Sequence, residues 1–469
     1  MACFFLHSHQ SGMVQLLPLL TFDHGDRVPE SKNELTVISW GEPAEMETSS
    51  DSTHHYLNDL ESVLHTKNKK KMRQTLILHG LKVKHLQETP VFRIHFQIPV
   101  FHLKALTVFS KINSTKLWSA LPYYQSDSDS YEELDLSSRV GFHVRRAVRE
   151  ARKAVYALGL DFALVHMGIL GMGDTVVIDV EPAPALNQRL AECYANAMNE
   201  FALELRFSKQ PKRIVIGADP EFILRKPNGK IVSADHFMGR LGDVGCDAVV
   251  LSGHRVILPL VELRPKPSAS PVVLTRHLQS LMYQADRLIN NPELDWLAGA
   301  MPVKGLPLGG HIHFSGVEVT SKLLRVLDNY LALPLVMIEG ETINRRRPRY
   351  GFLGDFRHQP HGGFEYRSLP SWLVSPEIAL GVLTLGFVIV HHYEELNQIP
   401  LKQSAVQRAF YEGDKNLLEP IAKRLCQEIK RTQMYERYQK ELDPLFLMIQ
   451  SREVWPEQQD FRRKWRIKP

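Results

Sequence analysis

Ile216-Gly-Ala-Asp-Pro-Glu-Phe-Ile-Leu224 sets two carboxylates, Asp219 and Glu221, two residues apart inside an otherwise apolar run. Side chains along a strand alternate between faces, so this pair points one way and Phe222 the other. Three later segments repeat the arrangement: Glu262 and Arg264 in LVELRPKPS, His311 and His313 in GGHIHFSG, and Glu365 and Arg367 in GGFEYRSLPS. Val261, Leu263, Ile312, Phe314, Phe364 and Tyr366 supply the apolar neighbours. The four runs predict a sheet with one ionic side and one apolar side.

A single Glu-x-Arg is most simply an exposed or self-paired strand face, and a single His-x-His fits core or surface histidines as well as a metal. Together the pairs mean more. Three carboxylate-bearing strands and one imidazole-bearing strand offer mainly oxygen ligands with one or two nitrogens, which suits Mg²⁺ or Mn²⁺ better than a structural zinc. Arginines among carboxylates then serve as clamps for phosphates that such ions bridge. Between the third and fourth runs, NRRRPRYGFLGDFRHQPHGG carries Arg345, Arg346, Arg347, Arg349 and Arg357, a guanidinium density that calls for anions. Few stacking aromatics interleave with it, so a nucleoside triphosphate is a more economical ligand than nucleic acid.

The order D-x-E, E-x-R-P, G-G-H-x-H, R-x-x-x-Y-G-x-x-G-x-F-R and E-Y-R-x-x-P-S resembles the amidoligases of the glutamine synthetase and glutamate-cysteine ligase fold. Within that superfamily it is most similar to the phage-type carboxylate-amine ligases, type 2, over about residues 213–395. The resemblance implies an α+β fold with an open, curved antiparallel sheet whose inner face holds two or three divalent ions and ATP. It implies Glu221, Glu262 and Glu365 as metal ligands, with Asp219 and His311 or His313 completing the sites. Arg264, Arg357 and Arg367 would contact phosphate and act in catalysis, and His313 and Arg345 would join them around the nucleotide. Many relatives carry two glutamates where this chain has Asp219 and Glu221.

The N-terminal half carries a resemblance of its own. VISWGEP, KKKMRQTLILHGLKV and LGLDFALVHMGILGMGDTVVIDVEPAPAL are similar to pieces of an ATP-grasp ligase. There the closing motif usually reads Glu-x-Asn and binds Mg²⁺; the matching positions here are Asp179 and Glu181, and His166 stands where an acidic residue is common. A working ATP-grasp unit and a degenerate accessory one both fit.

Locally, 35–40 reads as a strand and TSSDSTHH as a loop, while Lys67, Lys69, Lys70, Lys71 and Arg73 read as a solvated helix face. SDSDSYEELD reads as an acidic loop. Val144, Val148, Ala151, Val155 and Leu158 mark a helix, ALVHMGIL and TVVIDVE two strands, and Leu190 to Leu205 a second helix. FSKQPKR is a linker, with two further helical patterns at 271–289 and 321–339. The chain thus divides into an unassigned segment 1–30, an ATP-grasp-like domain 31–208, an amidoligase domain 209–400 and a helical extension 401–469 that ends in a basic, solvated RRKWRIK.

Composition sets the outer bounds. With 469 residues, 44% hydrophobic and 23% charged, the chain is an ordinary globular one of several domains, neither disordered nor fibrous. A net charge of +5 is too mild for a dedicated nucleic-acid binder. Cys3, Cys193, Cys246 and Cys426 form no CxxC pair, which argues against a zinc ribbon or disulfide framework and for a reducing cytoplasm. No Lys or Arg precedes the apolar residues of MACFFLHSHQ, and the apolar run 378–390 is short and interrupted, so neither a signal peptide nor a membrane span is read.

The function these readings imply is ATP-dependent joining of a carboxylate to an amine through an acyl phosphate. The substrates would be small carboxylates and amines, amino acids or a peptide among them. A phosphotransferase using the same ATP and metal site, and a non-catalytic nucleotide-binding protein, are the alternatives.

Overall fold

A computed structural model of the chain describes residues 2–8, 12–29, 35–41, 54–84, 92–112, 131–136, 140–171, 173–207, 213–250, 255–360 and 362–468. Residues 48–53 of the expected polar loop, 126–130 of the acidic stretch and 208–212 of the linker lie outside these, as do Glu42 and Pro43. The chain forms two compact units, Met1–Pro211 and Lys212–Pro469, and its class is α+β.

The first unit holds two sheets. Strands β1 (Ala2–His7), β2 (His24–Gly25), β3 (Leu35–Trp40) and β4 (His55–Leu57) form a parallel sheet in the order β2-β1-β3-β4. The segment 1–30, which showed no period, therefore contributes two strands. A parallel strand covered on both faces reads as a continuous apolar run, here Cys3-Phe-Phe-Leu6, and alternation disappears. The second sheet is antiparallel. It comprises β5 (Ile94–Phe101), β6 (Lys104–Ala105), β7 (Val108–Ile112), β8 (Glu132–Leu134), β9 (Phe162–Ile169) and β10 (Thr175–Glu181), in the order β10-β9-β5-β7-β8 with β6 on β5.

One face of this antiparallel sheet, with Phe96, Ile98, Val100 and Val165, packs on Ala147, Ala151, Ala154 and Val155 of the helix Phe142–Ala157. At one end of the other face, Phe101, Phe162 and Leu164 pack with the helix Gln188–Phe207 and the parallel sheet. Further along that face is a polar patch, where Asp179, His166 and Gln97 are register partners across β10, β9 and β5. Of the lysine run, Lys67 ends the helix Leu60–Lys67 and Lys69, Lys70 and Lys71 open the helix Lys69–Leu78, all four exposed, while Arg73 is half-buried. The acidic stretch is not all loop: Glu132–Leu134 pairs with β7, because Arg189 and Thr107 fasten Glu133.

The second unit is built on one antiparallel sheet. Its strands are β11 (Val215–Arg225), β12 (Ile231–Val232), β13 (Val244–Val250), β14 (Val256–Leu263), β15 (Asp295–Leu297), β16 (Gly310–Ser315), β17 (Phe356–His358) and β18 (Phe364–Tyr366). The order is β13-β14-β11-β16-β18-β17, with β12 and β15 also on β11. Pro220 lies inside β11 where partners change: residues 215–220 pair with β16 and 221–223 with β14. Phe222, Val261, Leu263, Ile312, Phe314, Phe364 and Tyr366 are all buried on the apolar side.

The apolar run 378–390 lies within the helix Pro376–His392, which buries all round against this face; a Cβ on its Gly386 would sit 3.4 Å from the Phe314 ring. Ser375 starts the helix by accepting from Ile378 N–H at 3.2 Å, with Pro376 as its first residue. No helix of the described residues is long and apolar enough to cross a membrane.

Helices Ser404–Glu412, Lys415–Ile429 and Gln433–Ser451 follow. The basic end is not a solvated tail. Trp465 is fully buried and donates from Nε1 to Leu373 O at 2.6 Å, and Arg462 Nη2 reaches Leu294 O at 2.6 Å. Phe461, Trp465 and Ile467 turn inward and leave Arg463, Lys464, Arg466 and Lys468 exposed.

Candidate active site

Strand register brings the separate motifs of the second unit together. Directly opposed residues share a face, and Asp219 faces His311, Glu221 faces Glu262, His313 faces Glu365, and Glu365 faces Arg357. All lie on the side opposite Phe222. Two glycines admit close neighbours: a Cβ at Gly309 would lie 2.3 Å from His311 Nε2, and one at Gly310 would lie 2.3 Å from Pro370 O. That crowding explains the G-G-H-x-H spelling.

Among the described residues, two groups offer three ligand atoms close enough to share one ion: Asp219, His313 and Glu365, and Glu221, Asp247 and Glu262. In the first, His311 Nδ1 and His313 Nε2 each lie 3.2 Å from Asp219 Oδ1, and His311 Nδ1 lies 3.3 Å from Glu365 Oε1. These contacts are close but misaligned. Asp219 Oδ1 and both imidazole nitrogens are buried without a hydrogen-bond partner among the described residues. Orphaned oxygen and nitrogen lone pairs converging in this way fit a divalent cation. Burial opposes the charge on Asp219, but His311 and His313 outweigh it and hold the carboxyl well below the usual range.

The second group is more acidic. Glu221 accepts from Gly309 N–H at 2.7 Å, and burial pushes its carboxyl up to about 7 despite His311 and that N–H. Three carboxylates so placed repel one another unless a cation lies between them, which again fits a divalent ion. Asp247 is the member that sequence reasoning missed. Its signal was faint: one acid in Gly245-Cys-Asp-Ala248, on a strand whose register shifts just after Asp247.

Arginines ring the carboxylates. Arg357 donates to Glu365 from Nε and Nη2 at 2.8 and 2.9 Å, Gln359 adds a bond at 2.9 Å, and Arg367 closes on the same carboxylate. Burial opposes charge on Glu365, yet Arg357, His311 and Arg367 hold its carboxyl below the ordinary value. Arg264 pairs with Glu262 and donates to Gly242 O at 2.9 Å.

The rest of the arginine-rich stretch divides differently from its reading as a uniform anion-binding loop. Arg346 is buried and donates to Ser368 O and Leu369 O at 3.1 and 2.9 Å. Gly351 leaves it space, since a Cβ there would lie 1.9 Å from Arg346 Nη1. Arg347 is buried against Glu339 at 3.0 Å. Protein carbonyls and a buried carboxylate thus occupy two of the five guanidinium groups. Arg345 is exposed on the short helix Ile343–Arg346.

In the first unit, Asp179 pairs with Lys69, and Glu181 accepts from His166 Nε2 at 2.7 Å. Hydrogen bonding from His166 holds the Glu181 carboxyl below its usual value against the opposing effect of burial. Neither residue belongs to a three-ligand group among the described residues.

Comparison with known proteins adds a family. Among curated proteins none matches. The crystal structure of the macrocyclase MdnC bound with precursor peptide MdnA from Microcystis aeruginosa MRC is similar at 8% identity, covering 44% of this chain and 100% of that one, with TM-score 0.31. The complex between the prokaryotic ubiquitin-like protein Pup and its ligase PafA is similar at 10% identity, covering 51% and 64%, with TM-score 0.36. A bifunctional glutathione synthetase from Pasteurella multocida reaches 12% identity, 57% and 50% coverage, and TM-score 0.34. Scores this low establish no shared fold. The family description phage phiEco32-like COOH.NH2 ligase-type 2 matches residues 216–467, more than half of the chain and every motif of the ionic face, and the chain therefore belongs to that carboxylate-amine ligase family.

Proposed function

We propose that the second unit joins a carboxylate to an amine through an acyl phosphate formed with ATP, on the ionic face of the β11-centred sheet. The observation that carries this reading is the convergence of two three-ligand groups on one face, bordered by Arg264, Arg357 and Arg367. A carboxylate and a triphosphate repel each other, and the reaction begins only where that repulsion is cancelled.

Asp219, His313 and Glu365 would hold one divalent cation, and Glu221, Asp247 and Glu262 another, with His311 bracing the first group. When bound, Mg²⁺ or Mn²⁺ supplies charge neutralisation and polarises phosphoryl oxygens. The chain's own groups do the rest. Asp219 and Glu365 stay ionised because imidazole and guanidinium partners outweigh their burial. Arg357 and Arg367 share Glu365, so each fork can release one N–H toward a phosphate oxygen while Glu365 keeps a partner. Arg264 can do the same beside Glu262. The glutamine synthetase-like sheet of the sequence resemblance suits this site, and a reducing cytoplasm suits the four unpaired, buried cysteines.

The first unit stays outside the reaction in this reading. Asp179 and Glu181 could take a cation only by releasing Lys69 and His166. The substrate classes are small carboxylates and amines, amino acids and short peptides foremost. Incubating purified protein with ATP, Mg²⁺ and a panel of both, while following ADP, phosphate and amide, tests the proposal. All three products are expected together. A phosphorylated product with little free phosphate would instead make the chain a phosphotransferase.

A further inference from the structure

Glu365 and Arg367 reach the ionic face from β18, a strand of only three residues, Phe364–Tyr366. So short a strand has few ladder hydrogen bonds to fix its twist, and a small rotation would carry both charged side chains away from Asp219 and His313. Tyr366, between them in sequence, points to the opposite side of the sheet and is fully buried. Its hydroxyl donates to Oδ1 of the buried Asp328 at 2.7 Å. Burial, with Asp328 adding to it, pushes the Tyr366 phenol well above its usual range, so the tyrosine is the donor.

A carboxylate behind the apolar side of a sheet is costly, and an apolar side chain of the same size would fill the space with nothing to satisfy. What the carboxylate adds is an acceptor in a fixed place. The backbone that bears it is fixed too. The helix Ser321–Leu327 passes into a π turn at Asp328–Ala332, a local form that recurs at functional sites. The next two residues of that turn are tied elsewhere. Asn329 accepts from Leu401 N–H at 2.9 Å and donates to Arg325 O at 2.7 Å, while the Tyr330 hydroxyl accepts from Gln398 N–H at 3.0 Å and donates to Glu428. One turn thus fastens β18 to the helices behind it, and Asp328 is the link to the site. Arg346, donating to Ser368 O and Leu369 O, holds the chain just beyond.

We propose that Asp328 is a positioning residue for the first cation group: through the Tyr366 hydroxyl it sets the angle of β18, and with it the placing of Glu365 and Arg367. This rests on the reading of Asp219, His313 and Glu365 as cation ligands. Mn²⁺ binding to the full chain, followed by the electron paramagnetic resonance of the free ion, tests it without turnover. Two bound ions are expected in wild type, one of them lost in Glu365→Ala. Tyr366→Phe, which keeps the ring and drops one oxygen, should weaken that ion alone by about tenfold; a general loosening of the fold would weaken both. Asp328→Leu should do the same, and it serves if Tyr366→Phe does not fold. Asp328→Asn keeps an acceptor oxygen and should bind nearly as wild type. Wild-type affinity in Tyr366→Phe and Asp328→Leu, equal weakening of both ions, or a loss in Asp328→Asn matching that in Asp328→Leu would each overturn the positioning role and leave the ligand assignment standing. Both ions surviving in Glu365→Ala would instead refute the ligand assignment, and the positioning role with it.

Discussion

Two strands of this chain carry the same short message and put it to different use. Asp179-x-Glu181 on β10 has His166 opposite its aspartate, and Asp219-x-Glu221 on β11 has His311 opposite its own. The difference is position in the sheet. β10 ends its sheet order, flanked by β9 and, beyond a single bridge between Val83 and Val177, by no other strand among the described residues. Its carboxylates close on Lys69 and His166. β11 is interior: β14 brings Glu262 from one side, β16 brings both histidines from the other, and β18 adds Glu365 one strand further. On the proposed reading, a carboxylate pair becomes a cation site when strands on both sides deliver ligands to it.

The strongest way to break this comparison is to delete one carboxylate from each sheet and compare rates. Removing a group that stabilises charge in a transition state costs about 10²- to 10³-fold. Glu365→Ala and Glu262→Ala are expected to lose at least that much in the initial rate of amide and ADP formation. Asp179→Ala should lose far less. Equal losses in the two units would defeat the argument from strand position and place a second working cation site on β10.

The ionic face was legible because period two survives in a half-buried strand: each i, i+2 pair could be read without knowing its neighbours. The pairing between motifs could not be read, since register depends on loops far apart in sequence. Asp247 stayed hidden for that reason. Charge misled where burial decides: Arg346 and Arg347 resemble phosphate ligands until Ser368, Leu369 and Glu339 are seen beside them. The basic C-terminus misled in the same way, because Phe461, Trp465 and Ile467 anchor it through spacings too irregular to mark a helix or strand. Strand β1 failed from the opposite cause, being too uniformly apolar to show a period at all.

Stability gives the next contrast. Arg347 and Glu339 are both fully buried and paired at 3.0 Å, with the Arg347 guanidinium 4.1 Å from the Phe410 ring centre. Removing one partner of such a pair leaves an uncompensated buried charge, at a cost of about 3–5 kcal/mol. Glu339→Ala should therefore destabilise the second unit by that amount in denaturant unfolding. Lys69→Ala, which breaks an exposed pair with Asp179, should change stability by about 1 kcal/mol or less. Divalent cations sharpen the same contrast. At a hundred times the dissociation constant, Mg²⁺ or Mn²⁺ should stabilise the second unit by about 2.7 kcal/mol. Asp219→Asn with Glu262→Gln should remove that gain, whereas Asp179→Asn should leave it.

The smallest expected effect belongs to His95 of the first unit, which acts as a neutral partner. His95 stacks on His166 at 5.8 Å and bonds through Nδ1 to the Tyr131 hydroxyl. Burial first, then His166 and Lys111, push its pKa down to about 4. In the unfolded chain the same ring takes its proton near pH 6.5, so over this interval the unfolded state binds more protons than the folded one. The contribution of His95 to stability is thus present above pH 6.5 and is lost as pH falls toward 4, on the order of 1 kcal/mol once its remaining solvent contact is allowed for. Comparing wild type with His95→Gln from pH 7 to 4 isolates this contribution from that of the carboxylates titrating in the same range. The variant should lose less stability than wild type over the interval, and proton NMR of His95 should show a midpoint near 4. A midpoint near 6.5 would mean that the ring is charged and solvated in the folded chain below that pH, which would remove its neutral-partner role.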